Sequence, residues 1–238
     1  MKYLQNQSAI AILSGGIDST VALYNAIEDG YHIECAISFD YGQKNFKKIE
    51  CAKETCRKLG ISHRIIDLTS LAPYLKSALT SEDQEVPEGH YQEESMKQTV
   101  VPNRNMIFAS IAAGIAISLN AETIILGVHQ GDHAIYPDCR PRFIKRMNKA
   151  LAIADWSFPV KIHAPLLKMS KIDIVELGYY HLNVDFSNTW NCYKGGEFAC
   201  GKCGSCQERR EAFAENSVID PISYEDDVNL SDIRTENP

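Results

Sequence analysis

The stretch Ser14-Gly15-Gly16-Ile17-Asp18-Ser19 decides the fold, because it joins an apolar run to the start of a helix. The run 9–13 before it predicts a buried strand, and the segment 20–29 after it predicts a helix. Two adjacent glycines allow positive φ and a close approach of the backbone to a ligand. Amide groups freed at such a turn converge on one point and favour an anion there. The sequence therefore predicts a phosphate-binding loop.

The same loop lacks the Gly-Lys-Ser/Thr ending of a Walker A motif, whose lysine holds the β- and γ-phosphates. It resembles instead the pyrophosphate loop of the ATP pyrophosphatase superfamily, whose members cleave ATP between the α- and β-phosphates. An ordinary strand-to-helix turn, with Asp18 as an N-terminal helix residue, is the alternative. The candidate nucleotide-binding residues of this loop are Leu13, Ser14, Gly15, Gly16, Ile17, Asp18, Ser19 and Thr20.

Length and composition limit the class of protein. The chain has 238 residues, which fit one large domain or one domain with a small appendage. A net charge of −7 argues against nucleic acid as the main partner, since phosphate backbones are held by basic surfaces. The polar start Met1–Ser8 has no signal-peptide pattern, and the apolar run 106–119 is too short to span a bilayer. We expect a cytoplasmic protein without a membrane segment, in which this run forms a helix buried against a sheet.

Predicted strands alternate with predicted helices along the chain, which is typical of a mostly parallel sheet flanked by helices. Asn105 and Ser170 are predicted helix N-caps, and Ser170 begins a capping box with Asp173. Further strands are predicted at 33–39, 63–67, 123–127 and 161–163, and further helices at 46–59, 105–119, 141–153, 170–180 and 207–214. In such folds, ligands bind beyond the carboxyl ends of the strands.

Several polar segments follow these strands and supply the candidate substrate-binding residues. Tyr41 and Gln43 follow the second strand, although a plain polar turn explains them equally well. Arg104 begins a helix and is a further candidate nucleotide-binding residue, which meets a phosphate, a carboxylate or only solvent. Lys171 is an unusual charge for a helix N-terminus and predicts a contact with phosphate, with a solvated lysine as the alternative.

The segment 129–140 mixes two acids, two histidines, a thiol and an arginine. A metal site or a cysteine nucleophile fits poorly, because sequence neighbours in a loop need not face each other. We favour substrate recognition, in which Asp138 accepts hydrogen bonds from ring or amino N–H groups and Arg140 pairs with an anion. Asp132 and Tyr136 complete the candidate substrate contacts of this segment.

Four of the eight cysteines lie close together, at Cys192, Cys200, Cys203 and Cys206. Their C-x2-C spacing predicts one tetrahedral site, and four thiolates leave no open position, so the site is structural. Zinc is favoured over an iron–sulfur cluster, because nothing else in the sequence indicates redox chemistry. The predicted domains are a nucleotide-binding α/β domain over 1–185, a small helical zinc lobe over 186–222 and an acidic, frayed tail over 223–238. The polar segment 80–100 is predicted to be a functional or mobile loop.

Five segments together resemble the 7-cyano-7-deazaguanine synthase family: the loop 14–20, Phe39-Asp40-Tyr41-Gly42-Gln43, Val101-Pro102-Asn103-Arg104-Asn105, Tyr136-Pro137-Asp138-Cys139-Arg140 and the four cysteines. The resemblance covers nearly the whole chain, with a departure at His133–Ile135, where many members have Ser-Gly. It implies an ATP-dependent carbon–nitrogen ligase of queuosine precursor synthesis, with a structural zinc and a homodimeric assembly. Its substrates would be 7-carboxy-7-deazaguanine and ammonia, which are converted through an amide to the nitrile.

The chemistry implied by this resemblance needs positioning and charge stabilisation rather than a covalent enzyme intermediate. ATP adenylates the carboxylate, ammonia displaces AMP, and a second adenylation of the amide oxygen gives the nitrile. These steps release AMP and pyrophosphate, and we expect Mg²⁺ to assist them. The candidate catalytic residues are Asp18, Ser19, Lys171 and Arg140. An amide-forming ligase, a tRNA-modifying enzyme with the same loop and a non-enzymatic nucleotide-binding module are the alternatives.

Overall fold

A computed structural model describes residues 7–155 and 159–227 of the chain. Its centre is a five-stranded parallel sheet in the order β3-β2-β1-β4-β5. The strands are β1 (Ser8–Ile12), β2 (His32–Asp40), β3 (His63–Asp67), β4 (Thr123–Leu126) and β5 (Lys161–His163). The predicted fold class is confirmed. Residues 228–238 of the predicted acidic tail lie outside the described residues.

Within residues 7–155 and 159–227, six α-helices pack around the sheet. They are α1 (Ile17–Glu28), α2 (Lys47–Leu59), α3 (Arg104–Ser118), α4 (Pro141–Leu151), α5 (Lys171–Glu176) and α6 (Gly204–Glu215). Helix α5 begins at the predicted capping box of Ser170 and Asp173 and continues as a π-helical turn, Leu177–His181. Helix α6 begins three residues before the predicted position, at the last cysteines of the cluster.

The prediction of Asn105 as an N-cap is wrong, because α3 begins one residue earlier and Asn103 occupies the N-cap position, without a side-chain hydrogen bond to the helix. Asn103 has a φ of 59°, and asparagine is among the few residues that adopt this left-handed conformation readily. Asn105 is buried in the first turn, and its backbone N–H donates to Asp138 Oδ2 at 3.0 Å. A carboxylate from a distant loop therefore satisfies the helix N-terminus, which no local pattern indicates.

Helix α3 lies against the sheet through small side chains. Its buried residues include Ala109, Ala112, Ala113 and Ala116, which let the helix approach β1 and β4 closely. The longer segment Glu94–Ser118 is apolar enough to be a candidate membrane span by length and composition alone. The chain leaves the helical conformation between its two parts, however, because Val100 is extended and Asn103 is left-handed. The prediction of a helix buried against the sheet is confirmed.

The cysteine lobe is joined to the rest of the molecule by packing, and a buried ion pair between Arg209 and Asp220 stabilises the lobe itself. Phe213 of α6 lies in the same apolar cluster as Leu13 and Val21, so the residues on either side of position 185 share one core. Arg209 is fully buried, and its guanidinium donates two hydrogen bonds of 2.8 Å to Asp220. The polar segment 80–100 also packs here through a 3₁₀ helix, Glu94–Thr99, and through the hydrogen bond from Gly89 N–H to the Lys202 carbonyl.

Gly15 is the position at which the loop and α2 approach most closely. Its φ is +82°, and a Cβ added there would lie 1.9 Å from the carbonyl oxygen of Lys48. We expect Gly15→Ala to lower the free energy of unfolding by at least about 2 kcal/mol, because it adds both left-handed strain and overpacking against rigid backbone. Thermal or urea unfolding followed by circular dichroism measures the change.

Gly114→Ala is the matched control, because a Cβ at this position in α3 would meet nothing within 4 Å. This change should leave stability equal or raise it by about 0.5 to 1 kcal/mol, since alanine has a higher helix propensity than glycine. Equal stability of the two alanine variants would contradict the packing argument.

Candidate functional site

A cavity lies at the carboxyl edge of the sheet, where the loop 13–19 follows β1. The hydroxyl groups of Ser14 and Ser19 lie 2.9 Å apart, and Ser19 Oγ also donates to the Gly16 carbonyl at 3.2 Å. These bonds fix both hydroxyl groups at the cavity wall beside the N-terminus of α1. Hydroxyl and amide donors at a helix N-terminus are suited to hold an anionic group.

A buried cluster of charged side chains lies next to the loop. Lys171 is 5% exposed, and its Nζ lies 2.5 Å from Asp18 Oδ1 and 3.2 Å from Glu208 Oε2. Two carboxylates therefore surround one ammonium group, which satisfies the buried lysine fully. Lys171 therefore holds Asp18 in a fixed position, a role that the sequence does not indicate.

His129 links this cluster to a further carboxylate. Its Nδ1 accepts a hydrogen bond from Gly131 N–H at 3.1 Å, so the ring proton of the neutral tautomer lies on Nε2. That Nε2 is 3.7 Å from Asp18 Oδ1 and 3.5 Å from Asp132 Oδ2. His129 thus lies between two carboxylates of the cavity wall, at distances too long for hydrogen bonds.

Burial and charge act on these groups in opposite directions. Burial disfavours the charge on Asp18, but Lys171 and His129 outweigh it and hold the pKa of Asp18 below its usual value. Burial also disfavours the charge on Lys171, yet Asp18 and Glu208 raise the pKa of its ammonium group. Burial raises the pKa of Glu208 in spite of the attraction of Lys171. Asp18 and Lys171 are therefore both ionised at neutral pH.

An aromatic wall forms another side of the cavity. The rings of Phe39 and Phe108 stack with centroids 4.1 Å apart and an interplanar angle of 6°, and Tyr41 tilts against Phe108 at 5.4 Å. Tyr136 also faces the cavity, and its hydroxyl group is 2.6 Å from Thr99 Oγ1. A flat apolar surface beside hydroxyl groups is suited to a planar heterocyclic ring.

The four clustered cysteines form a separate centre in the lobe. All four are buried, and their Sγ atoms lie within 4.8 Å of one another. Zinc–sulfur bonds of about 2.3 Å in a tetrahedron place sulfur atoms roughly 3.8 Å apart, and Cys200 Sγ is 3.9 Å from Cys206 Sγ. The backbone N–H groups of Cys200 and Cys203 donate to Sγ of Cys192 and Cys200 at 3.4 and 3.3 Å. The donor set fits one metal ion held by four thiolates.

Comparison with known families gives a match over residues 8–217 to the model of queuosine biosynthesis protein QueC. The chain belongs to the QueC family. Relatives from Methanoregula boonei and Hahella chejuensis are 54% and 50% identical over 217 residues, which is 91% of this chain and 99% and 93% of theirs. Both relatives are named 7-cyano-7-deazaguanine synthase. Membership makes this chain an enzyme with a role in queuosine biosynthesis.

Solved structures resemble the QueC-family chain more distantly. A 4-thiouridine synthetase in complex with RNA and ATP is 23% identical with a TM-score of 0.48, over 73% of this chain and 40% of that one. NMN synthetase from Francisella tularensis is 17% identical, also at 0.48, over 92% and 80%. Because these sequence identities and TM-scores are low, the chemistry of this QueC-family chain is argued from its own residues.

The structure brings most of the predicted site residues of this QueC-family chain to one cavity. Those that line it are Leu13, Ser14, Gly16, Asp18, Ser19, Tyr41, Gln43, Arg104, Asp132, Tyr136 and Lys171. Gly15, Ile17 and Thr20 belong to the same loop but lie behind its wall: Ile17 and Thr20 are buried, and Gly15 faces α2. Only some residues of the loop therefore line the cavity, and the others face the protein interior.

The predicted substrate clamp of Asp138 and Arg140 is not brought to the cavity lining. Asp138 Oδ2 accepts the hydrogen bond that caps α3. Arg140 is exposed at the start of α4, and its Nε donates to the His133 carbonyl at 2.7 Å. Roles for these two side chains in substrate binding stay predictions that this geometry does not support.

Some cavity residues of this QueC-family chain lie outside the predicted set, either in elements without a motif or, as for Phe39, Asn105 and Cys139, in motif segments but without a predicted binding role. Lys48 is in the first turn of α2, and Glu208 is in α6, far from the loop in sequence. The sequence indicates Glu208 only indirectly: a lysine at a helix N-terminus, Lys171, predicts that some carboxylate lies nearby as its counter-charge. The remaining residues outside that set are Ile12, Ser38, Phe39, Asn45, Ile49, Asn105, Phe108, Leu126, Gly127, Val128, Cys139, Asn191, Tyr193 and Ser205.

Removal of Lys171 should show how much the charged cluster contributes to the free energy of unfolding. Lys171→Met leaves Asp18 and Glu208 as uncompensated buried carboxylates, so we expect a loss of about 3 to 5 kcal/mol in unfolding free energy. Urea denaturation measures it, and Lys168→Met at an exposed position is the control. Identical midpoints for the two variants would show that Lys171 does not stabilise the site.

The cysteine cluster makes a second prediction, on metal content. Cys203→Ser should lower both bound metal and thermal stability, because closure of the lobe depends on four thiolates. Cys51→Ser changes a half-buried cysteine outside the cluster and should retain one metal ion per chain. Elemental analysis of both purified variants distinguishes them, and it also decides between zinc and iron. A fully stable, metal-free wild-type protein would refute the metal site.

Proposed function

We propose that this chain converts 7-carboxy-7-deazaguanine and ammonia to 7-cyano-7-deazaguanine at the expense of ATP. One observation carries the proposal: a single cavity joins an anion-binding loop to a stacked aromatic wall. The loop suits the phosphates of ATP, and the wall suits a planar ring such as deazaguanine. Relatives of about 50% identity over 91% of the chain are named 7-cyano-7-deazaguanine synthase, which supports the same proposal.

The first half of the proposed reaction activates the carboxylate. A carboxylate oxygen attacks the α-phosphorus of ATP, pyrophosphate leaves, and an acyl adenylate forms. Ammonia then adds to the acyl carbon, its nitrogen loses one proton, and AMP departs with the carboxylate oxygen to leave the amide. Ser14 and Ser19 would hold the phosphate groups, and Asp18 would be kept ionised by Lys171 for contacts on the same side of the cavity.

The second half repeats the activation on the amide. The amide oxygen attacks a second ATP, pyrophosphate leaves, and loss of AMP with two protons from nitrogen gives the nitrile. The carboxylate charge is absent in this step, so contacts with the ring must retain the amide in the cavity. The aromatic wall of Phe39, Tyr41 and Phe108 is suited to this task, because its contacts do not depend on charge.

Cofactors and assembly complete the proposal. Asp18 and Asp132 are the lining carboxylates that would supply oxygen ligands to Mg²⁺ carried by ATP. Zinc would be held by the four cysteines and would stabilise the lobe rather than take part in the reaction. We further propose a cytoplasmic homodimer that uses ammonia directly and has no nucleic-acid substrate.

The test supplies the protein with ATP, ammonium and 7-carboxy-7-deazaguanine and weighs the products by mass spectrometry. We expect the nitrile, with AMP and pyrophosphate rather than ADP and phosphate. Ser19→Ala should abolish turnover and leave the fold intact, whereas Ser110→Ala on the exposed side of α3 should react as wild type does. Release of ADP in step with product would overturn the proposed cleavage of ATP.

A second reaction tests whether the final product is the nitrile or the amide. Synthetic amide is supplied with ATP and without ammonium. Nitrile and AMP are the expected products, because adenylation of the amide needs only groups that the first step already uses. Unchanged amide, in a sample that converts the acid, would make the protein an amide-forming ligase.

A further inference from the structure

We propose that Lys48 binds the phosphate groups of ATP at the loop 14–19 and stabilises the departing pyrophosphate. It would take the part that the Walker A lysine has in other phosphate loops, although it comes from a different helix. This inference rests on the proposed function in one respect, since it takes ATP as the substrate of the cavity. Neither the loop sequence nor the family resemblance singles out this residue.

The position of Lys48 follows from the close approach of α2 to the loop. Lys48 is the second residue of α2, and its carbonyl oxygen would lie 1.9 Å from a Cβ on Gly15. Its side chain passes Gly16 as well, because a Cβ on Gly16 would lie 3.7 Å from Lys48 Cε. Two residues without side chains thus let this lysine reach the loop, and it lines the cavity there together with Ser14 and Ser19.

Lys48 differs from neighbouring lysines in having an unpaired ammonium group. Lys44 Nζ donates to the Gln84 carbonyl at 2.5 Å, and Lys47 Nζ donates to the Glu197 carbonyl at 2.7 Å. Within residues 7–155 and 159–227, Lys48 Nζ makes neither a hydrogen bond nor an ion pair, and the ring centroid of Tyr193 lies 5.8 Å away. A cation–π contact at this distance is weak and supplies no counter-charge, whereas an arriving anion would supply one.

Charged groups on each neighbouring element act on Lys48. Burial and Arg104 of α3 lower the pKa of Lys48 to about 8, Asp18 of α1 raises it, Lys171 of α5 lowers it further, and Cys203 raises it. Bound phosphate would add negative charge and favour the protonated form. Near pH 8, therefore, binding of an anion should be accompanied by uptake of a proton at Lys48.

The chemistry explains why a second lysine is useful in this cavity. Negative charge builds on the pyrophosphate as the bond to the α-phosphorus breaks, and a preorganised cation stabilises it. Lys171 is already neutralised by Asp18 and Glu208, so it adds little net positive charge. Lys48 and Arg104 are the cations on the described cavity wall without a carboxylate at ion-pair distance. Of these two, Lys48 is the one that lies against the loop.

The decisive experiment measures binding of inorganic pyrophosphate by calorimetry, without any deazaguanine. Lys48→Gln should weaken binding roughly 10- to 100-fold, as expected for a lost charge-assisted hydrogen bond. Lys53→Gln removes the same charge from an exposed position of α2 and should change binding by no more than about twofold. Equal binding by wild type and Lys48→Gln would overturn the proposal.

Thermal stability separates a binding role from a structural one. Lys48→Gln removes an unpaired charge and should unfold at the same temperature as wild type or higher at pH 7. The folded-state pKa is about 8 and the ordinary value 10.5, so between these pH values the unfolded chain binds more protons and wild-type stability rises with pH. The advantage of the variant should therefore shrink above pH 8. A lower unfolding temperature for the variant would make Lys48 a structural residue and overturn the proposal.

Lys48→Arg provides the last comparison. Arginine keeps its charge at pH 8, so this variant should bind pyrophosphate more tightly than Lys48→Gln and take up fewer protons than wild type. Proton uptake is obtained from calorimetry in two buffers of different ionisation enthalpy, and proton uptake equal to that of wild type would overturn the proposal. Absence of turnover with 7-carboxy-7-deazaguanine in wild type would reject the proposed function alone, since these binding contrasts do not involve that substrate.

Discussion

The close contact between Gly15 and the first turn of α2 is the constraint on which the rest of the site depends. A left-handed glycine without a side chain lets the backbone of α2 lie directly against the loop. The Gly15 carbonyl accepts a hydrogen bond of 2.9 Å from Trp190 N–H, which comes from the segment before the cysteine cluster. One residue thus joins the sheet, α2 and the cysteine lobe.

The contact at Gly15 explains how the cysteine lobe supports the cavity although its four thiolates do not line the cavity. Asn191 Oδ1 accepts a hydrogen bond from Ile17 N–H at 3.2 Å, and Tyr193 lines the cavity. Both residues flank Cys192, so closure of the thiolate cluster fixes their backbone. Helix α6 begins at the same cluster and carries Glu208 to Lys171. A structural metal would therefore stabilise the cavity wall as well as the lobe.

The charges of the site are divided between two tasks. Lys171 is enclosed by carboxylates and orients Asp18, whereas Lys48 is left without a partner beside the loop. A buried lysine that is fully paired stabilises the folded protein, because its desolvation is offset by its counter-charges. A lysine that is unpaired in the free protein is suited to an anionic ligand instead. This division allows a chain of net charge −7 to present a positive charge to the highly charged nucleotide that we propose as its ligand.

Local sequence determined the strands, the loop, the capping box at Ser170 and the four-cysteine set, because each depends on neighbouring residues or on a short fixed spacing. The resemblance of five segments indicated the family before the fold was known. Only the tertiary structure decided that Asp138 caps α3 while Arg140 stays at the surface, and that Lys48 and Glu208 enter the cavity. The physical reason is that these positions depend on how α2, α3 and α6 pack around the sheet. Packing between elements distant in sequence leaves no periodic pattern in the sequence itself.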